Sequence, residues 1–239
     1  MIKKLILSLG LVTTLFFGAI LDDGINAYEK GDFKTALPIF EELDLKGNAE
    51  AQFYLGVMYY NGKGVEQDYK KAKELYEKAA TQGLSEAQSN LGFIYGNGQG
   101  IKQDYKKAIF WYEKAANQGY AKAQHNLGVV YDDGQGVKQD YKKAIFWYEK
   151  AANQGYASAQ YNLGNKYVNG EGVKQNYTKA KELWEKAANQ GQIDAQYNLG
   201  IMYKNGYGVK QNYKKAKEYF GKACDGGIQD GCNKYKILN

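Results

Sequence analysis

The sequence repeats itself every 36 residues, and this period constrains the fold more than any other feature. The block at residues 51–56 returns four times, at 87–92, 123–128, 159–164 and 195–200. A fixed period between about 20 and 50 residues indicates an array of stacked supersecondary units. We therefore predict an all-α protein, a right-handed superhelical solenoid of helix-turn-helix repeats with a continuous concave face. The predicted segments are a signal peptide (1–19), a truncated repeat (20–48), repeats 1 to 5 (49–84, 85–120, 121–156, 157–192 and 193–227) and a capping helix (228–239).

Each repeat is predicted to contain two helices. In the first helix of repeat 1, Ala51, Leu55 and Met58 recur on one face of a 3.6-residue helix. Glycines in the turn at residues 61–64 end this helix, and Asp68 can cap the next one with its carboxylate. Neither helix can bury its apolar face alone, so the stack of repeats is the hydrophobic core.

A glycine stands inside the first helix of every full repeat, although glycine costs a helix roughly 1 kcal/mol relative to alanine. Five glycines at one position indicate a close approach by another segment. We predict that this segment is the backbone around Ala72 and its equivalents. The glycines are Gly56, Gly92, Gly128, Gly164 and Gly200.

The N-terminus has the layout of a secretory signal peptide. Lys3 and Lys4 precede an apolar stretch, and the chain becomes charged at Asp22. We expect cleavage after Ala19, with cleavage after Ala27 as the alternative. An uncleaved anchor is a further alternative, because the apolar run is close to the shortest that spans a bilayer. The predicted location is secreted or periplasmic, with no membrane span after cleavage.

Composition disfavours several kinds of function. The net charge is +6, but the chain contains no arginine, the side chain best suited to bidentate contacts with bases and phosphates, so we predict no nucleic-acid partner. One histidine and two cysteines cannot form an ordinary zinc site, and no metal or cofactor is predicted. No serine stands three residues before a lysine, as serine β-lactamases require, and we predict no catalytic residue. His125 is interpreted as an ordinary surface residue rather than a general base.

One stripe on the first helices changes from repeat to repeat. This variable stripe comprises positions 53, 57 and 60 and their equivalents at 36-residue intervals. Its mixed aromatic, polar and charged composition suits a protein or peptide ligand, because aromatic anchors carry much of the energy of such interfaces. We predict that the stripe lines the concave groove, and that charge reversal at Lys204 or Asp132 weakens partner capture without unfolding. The predicted contact residues are Phe53, Val57, Tyr60, Phe93, His125, Asp132, Tyr161, Asn165, Tyr197 and Lys204.

Two second helices differ from the others. Phe110 and Phe146 occupy positions where repeats 1, 4 and 5 have glutamate. One interpretation is an exposed apolar patch. The other is recent duplication, because residues 105–121 and 141–157 are identical.

The repeated motif resembles Sel1-like repeats, which are relatives of tetratricopeptide repeats. The motif is Ala-Gln-x-Asn-Leu-Gly-x-x-Tyr, followed by Asn-Gly-x-Gly-Val and Asp-Tyr-x-Lys-Ala, and the resemblance covers residues 28–236. The last repeat is similar to a secreted, cysteine-rich bacterial branch with a Cys-x7-Cys pair in every repeat. Members of that branch are commonly catalogued as β-lactamases, which implies binding or hydrolysis of penicillin-type compounds.

This chain departs from that branch in four of five repeats. Cys224 and Cys232 form its only such pair, and earlier repeats have alanine and glutamine there. The resemblance implies that the two cysteines form a disulfide that staples the last repeat. The leading functional hypothesis is an exported scaffold that binds a protein or a cell-envelope component. The alternatives are β-lactam binding or hydrolysis, and a secreted effector or immunity protein.

Overall fold

The computed structural model describes residues 20–238, which contain thirteen helices and no strand. The predicted signal peptide lies outside the described residues. The 36-residue pairing of helices confirms the predicted all-α repeat class. The described part of the first helix, α1, covers residues 20–29. The others are α2 (Phe33–Leu45), α3 (Ala49–Asn61), α4 (Tyr69–Thr81), α5 (Ser85–Asn97), α6 (Tyr105–Asn117), α7 (Ala121–Asp133), α8 (Tyr141–Asn153), α9 (Ala157–Asn169), α10 (Tyr177–Asn189), α11 (Ile193–Asn205), α12 (Tyr213–Asp225) and α13 (Gln229–Ile237).

The described residues form two units that divide between Ala115 and Ala116, inside α6. In the first unit, α3 packs against α2 and α4, and α4 packs against α5. In the second unit, every helix from α8 to α12 packs against the helices before and after it. None of the helices within residues 20–238 combines the length and apolarity needed to cross a membrane.

The turn between the paired helices has the predicted chemistry. Gly62 ends α3 with φ 66°, and Gly64 follows with φ 73°, a left-handed conformation that favours glycine. The side-chain amide of Gln67 donates to the carbonyl of Tyr60 at 2.8 Å, which closes the turn. Asp68 caps α4 by accepting from the backbone amides of Lys70 and Lys71. Local sequence rules therefore position each second helix relative to the first.

The glycines inside the first helices lie closest to aromatic rings, rather than to the backbone segment that we predicted. A Cβ added to Gly56 would lie 2.6 Å from Cε1 of Tyr76, a contact too short for real Cβ atoms. At Gly92 the carbonyl oxygen of Ala108, an equivalent of Ala72, also approaches to 3.1 Å. The prediction of a close approach is confirmed, but the nearest atoms at each of these glycines belong to a ring, which fills the space that the Cβ leaves. The glycine–ring pairs are Gly56–Tyr76, Gly92–Tyr112, Gly128–Tyr148, Gly164–Trp184 and Gly200–Phe220.

Internal contacts hold the first and the last described helix in place. At the start, Leu21 and Ala27 of α1 are buried in a cluster with Phe40 and Leu43 of α2. At the other end, a disulfide joins Cys224 of α12 to Cys232 of α13, with their Cα atoms 4.6 Å apart, as the resemblance implies. These contacts hold the first and last described helices against α2 and α12, respectively.

Candidate functional site

The variable stripe lies on α3, α5, α7, α9 and α11, and most of its side chains are half-buried. Four of them, from two successive repeats, line one cavity of about 380 Å³ in the second unit. We call it the α9–α11 cavity. Its lining residues are Tyr161, Asn165, Val168 and Asn169 of α9, Tyr177 and Trp184 of α10, Asn198, Ile201 and Met202 of α11, and Tyr207 in the following turn.

Aromatic side chains form much of the cavity wall, and contacts with their neighbours hold them in place. The Trp184 indole is buried, and its Nε1–H donates to the carbonyl of Tyr161 at 3.1 Å. Tyr177 and Tyr207 stack with ring centroids 5.7 Å apart. Because Trp184 also packs on Gly164, its ring cannot shift away from the cavity without losing that contact. The cavity therefore has a preformed aromatic wall, as is usual for ligand sites.

Three asparagines, Asn165, Asn169 and Asn198, supply polar groups in this cavity, and two of them bind each other. The side-chain amide of Asn198 donates to Oδ1 of Asn165 at 3.5 Å, which is long for a hydrogen bond. The positions equivalent to Asn165 are Val57, Phe93, Val129 and Ile201, so a polar residue stands there only in repeat 4.

Two of the asparagines equivalent to Asn198, Asn90 and Asn162, bind a tyrosine hydroxyl. Burial raises the pKa of the Tyr76 hydroxyl, and a hydrogen bond with Asn90 partly offsets this. Asn162 forms the same kind of bond with Tyr148. In the next repeat, Trp184 replaces the tyrosine and has no hydroxyl. Asn198 is therefore left facing the α9–α11 cavity, where its side-chain amide donates to Asn165.

His125 is not the ordinary surface residue that we predicted. Its ring packs against Tyr148 and Tyr156, with centroid distances of 5.8 and 5.2 Å. Nε2 lies 3.1 Å from the side-chain amide nitrogen of Asn162, and Nδ1 lies 3.2 Å from Oδ1 of Asn126. Burial lowers the pKa of His125, against a smaller opposing effect of Asn126. The ring is a neutral interior group that links α7 to α9.

Asp132 is part of an interior ion-pair network. It forms an ion pair with Lys166 and accepts a hydrogen bond from the Tyr148 hydroxyl at 3.2 Å. Lys166 is only 8% exposed and also binds Glu171 at 2.7 Å. Burial opposes the charge on Lys166, but the two carboxylates more than compensate, and its pKa is raised. We therefore expect charge reversal at Asp132 to disturb the fold, unlike the expectation from the sequence, because reversal would place two cations in a buried site.

In the first unit, most side chains of the variable stripe also pack inside the protein or bind neighbouring residues. Phe53 packs against Tyr76 at 5.9 Å, and the Tyr60 hydroxyl donates to Gln99 at 2.7 Å. Ser89 is completely buried, and its hydroxyl has no hydrogen-bond partner among the described residues. Phe93 is 39% exposed and is the best candidate for an open contact residue in this unit. Val57 is half-buried.

At the other end of the stripe, Tyr197 is bound to the capping helix. Its hydroxyl donates to Asp230, which also pairs with Lys234 at 2.9 Å. Lys204 is half-buried and forms no ion pair among those found within residues 20–238. Lys204 is therefore more available than Tyr197 for contact with a partner.

The two phenylalanines of the second helices are exposed, each within its own unit. Phe110 is 51% exposed and Phe146 is 50% exposed. The Nζ of Lys114 lies 5.0 Å from the ring centroid of Phe110, and that of Lys150 lies 4.6 Å from Phe146. Each ring therefore lies beside a cation as well as an adjacent tryptophan, Trp111 or Trp147.

Reasoning from the sequence missed six of the ten lining residues, which lie outside the variable stripe at the end of α9, on α10, on other faces of α11 or in the following turn. They are Asn169, Tyr177, Trp184, Asn198, Met202 and Tyr207. A signal was present, since position 184 has the only tryptophan among the rings that pack on the helix glycines. Within residues 20–238 there is no group of three or more His, Cys, Asp or Glu side chains that could hold a metal ion.

Comparison with known proteins shows what the repeats are similar to. The family profile described as Sel1 repeat matches residues 49–84, 85–120, 121–156, 157–192 and 193–228. A Sel1 repeat protein from Oxalobacter formigenes is 34% identical with a TM-score of 0.83, and the match covers 88% of this chain and 86% of that one. No curated protein matches the sequence.

Two further structures share the architecture. A protective antigen with an SLR fold, present in uropathogenic Escherichia coli strains, is 35% identical with a TM-score of 0.84. That match covers 93% of this chain but only 48% of the antigen. An immunity protein from Pseudomonas aeruginosa is 22% identical over 85% of this chain and 81% of its own, with a TM-score of 0.59, so the likeness shows the fold alone.

Proposed function

Because this chain belongs to the Sel1 repeat family, we propose that it is a binding scaffold that captures a protein or peptide through its first helices. The α9–α11 cavity carries this proposal, because it brings stripe residues of two successive repeats to one concave site. In the first unit, taken by itself, Phe93 is the exposed stripe residue that we propose as a contact. His125 and Asp132 support the surface from inside rather than contacting the partner.

We propose further that the protein works outside the cytoplasm, as a secreted or periplasmic scaffold. The support is the basic and apolar N-terminus together with the Cys224–Cys232 disulfide, since disulfides persist in oxidising compartments. Cell fractionation and the mass of the mature N-terminus test this point. A full-length protein found only in the cytoplasm would contradict it.

Site-specific photo-crosslinking in the producing cells tests the binding surface. A photoreactive phenylalanine analogue replaces Phe93 or Tyr161 in separate variants, and Phe110 on α6 is the matched control. We expect one partner to attach at the first-helix positions and not at Phe110. Attachment through Phe110 alone would move the binding surface to the second helices and overturn the assignment.

The same protein preparation tests the β-lactamase alternative that the resemblance suggested. Purified residues 20–239 are incubated with a chromogenic β-lactam under conditions that keep the disulfide. The scaffold proposal predicts no turnover above the uncatalysed rate. Turnover that copurifies with the protein through two chromatographic steps would favour the enzymatic alternative.

A further inference from the structure

We propose that the α9–α11 cavity binds one large uncharged side chain, preferably aromatic, of an extended peptide segment, and that Asn165 and Asn198 bind the peptide groups beside it. This inference rests on the proposed function and names the chemistry of its partner. The cavity is formed by repeats 4 and 5, so it recognises only the part of the ligand that lies against these two repeats.

The size and walls of the cavity determine what can enter. Its volume of about 380 Å³ is near the lower end of the usual range for ligand sites, roughly 300–1,000 Å³. That is room for one bulky side chain and its adjoining backbone, not for a large cofactor. Trp184 and Tyr177 offer ring faces, and Ile201 and Met202 offer aliphatic and thioether contacts.

The lining also excludes charged ligands. No Lys, Asp or Glu contributes to the wall, so a charged group entering the cavity would lose water without gaining a counter-ion. Val168, Ile201 and Met202 offer no hydrogen bonds, so this part of the wall favours an apolar group over the hydroxyl groups of a sugar.

The polar groups suit a peptide backbone. A carboxamide has donors and an acceptor, as does a peptide unit, so Asn165 and Asn198 can pair with both the N–H and the C=O of a bound segment. Their mutual hydrogen bond at 3.5 Å is weak enough to exchange for ligand contacts. Position 165 is apolar in the other full repeats, and the asparagines paired with Tyr76 and Tyr148 are already occupied. This weakly bonded pair of carboxamides is therefore a feature of repeats 4 and 5.

The test uses acetylated and amidated pentapeptides, Gly-Gly-X-Gly-Gly, in which X is Phe, Leu, Ala, Lys or Glu. Binding to the protein starting at residue 20 is followed by NMR, through the side-chain amide signals of Asn165 and Asn198 and the indole signal of Trp184. We expect saturable binding for Phe on the order of millimolar, the range for one anchored side chain. Binding should be at least tenfold weaker for Ala, and absent for Lys and Glu.

Two substitutions make repeat 4 like its neighbours and therefore preserve the fold. Asn165→Val introduces the residue found at positions 57 and 129, and Trp184→Tyr restores the hydroxyl that would recapture Asn198. Each should weaken binding of the Phe peptide at least fivefold, while leaving the unfolding transition in urea nearly unchanged. Ile201→Trp should fill the cavity and prevent binding of the Phe peptide. Val129→Trp is its steric control, because position 129 is equivalent to position 201 but lies outside the cavity.

The outcomes separate this inference from the proposed function. Equal binding of the Phe, Ala and Lys peptides, or no effect of Asn165→Val and Trp184→Tyr, overturns the pocket assignment even if crosslinking at Phe93 succeeds. Shifts of the same signals by chitin oligosaccharides but not by the peptides also overturn it, in favour of a glycan. A selective pocket without any crosslinked partner would uphold this inference and contradict the scaffold proposal.

Discussion

The side-chain amide of Gln160 donates to the carbonyl oxygen of Ala152 at 3.2 Å, at the two positions where the last repeat has its disulfide. The same hydrogen bond occurs in the other repeats, for example from Gln88 to Ala80 at 3.0 Å. The end of each second helix is thus joined to the next first helix in every full repeat. Internal repeats use a buried hydrogen bond, and the terminal repeat uses a covalent bond.

This equivalence predicts that the disulfide can be transplanted. Ala152→Cys combined with Gln160→Cys should form a second bridge on oxidation, with a mass loss of two hydrogens. Closing so short a loop should raise the free energy of unfolding by about 2–3 kcal/mol relative to the reduced double variant. Urea denaturation with and without reductant measures the difference. Two free thiols after oxidation would show that the positions are not equivalent.

Replacing a helix glycine should destabilise the protein although alanine is the better helix former. In Gly56→Ala the new Cβ would meet the Tyr76 ring at 2.6 Å, so we expect a net loss of about 1–3 kcal/mol from overpacking. Gly96→Ala is the matched control, because its Cβ would lie an ordinary 3.5 Å from Cβ of Ala108. That variant should gain up to about 1 kcal/mol. Equal effects in urea unfolding would refute the close-contact explanation.

Charge reversal should reduce stability at Asp132, inside the protein, much more than at Lys204, at the surface. Asp132→Lys places a second cation beside the buried Lys166, and we expect a loss of about 3–5 kcal/mol. Lys204→Glu removes a half-buried lysine at the surface, with an expected change within about 0.5 kcal/mol. Thermal unfolding compares the two. Similar stability losses would mean that Lys204 has an unrecognised structural role.

His125 should make folding stability depend on pH. Because burial holds its pKa below the ordinary value of 6.5, the unfolded chain binds the proton more readily. Its contribution is therefore fully present above pH 6.5 and is lost as the pH falls below that value. His125→Phe, which introduces the residue found at position 53, should reduce the loss of stability between pH 7.5 and pH 5.5. An unchanged pH profile in urea unfolding would contradict the assignment.

The described part of α1 should be necessary for full stability. A chain starting at Tyr28 lacks Leu21 and Ala27, which are buried against α2. Compared with a chain starting at Ile20, we expect it to lose about 2 kcal/mol or more, the usual contribution of one buried leucine. Urea denaturation of the two chains measures this difference. Equal stability would favour the alternative cleavage after Ala27.

Much of the fold was predictable because it depends on short-range rules applied at a constant period. The positive φ of Gly62, the cap at Asp68 and the alanines that face neighbouring helices follow from spacing within a single repeat. The sequence also marked the helix glycines as sites of close contact. It indicated the right helix, α4, but Ala72 instead of Tyr76 one turn later, because spacing does not show which side chain of that helix fills the gap.

The candidate site was predictable only in part. The variable stripe contained Tyr161 and Asn165, which line the α9–α11 cavity. It also contained His125 and Asp132, which the structure places in interior networks. Variation between repeats marks where the chain departs from its scaffold, but a departure can serve either a ligand or an internal contact.

By itself the sequence determined the repeat period, the all-α class, the helix ends and the position of the single cysteine pair, because each depends on residues close together in the chain. The tertiary structure decided which variable residues are available to a partner. That outcome depends on side chains brought together from different helices, as when Trp184 replaces a tyrosine and leaves Asn198 facing a cavity. Burial, volume and charge pairing at such contacts are properties of the packed repeats, and a single repeat does not contain them.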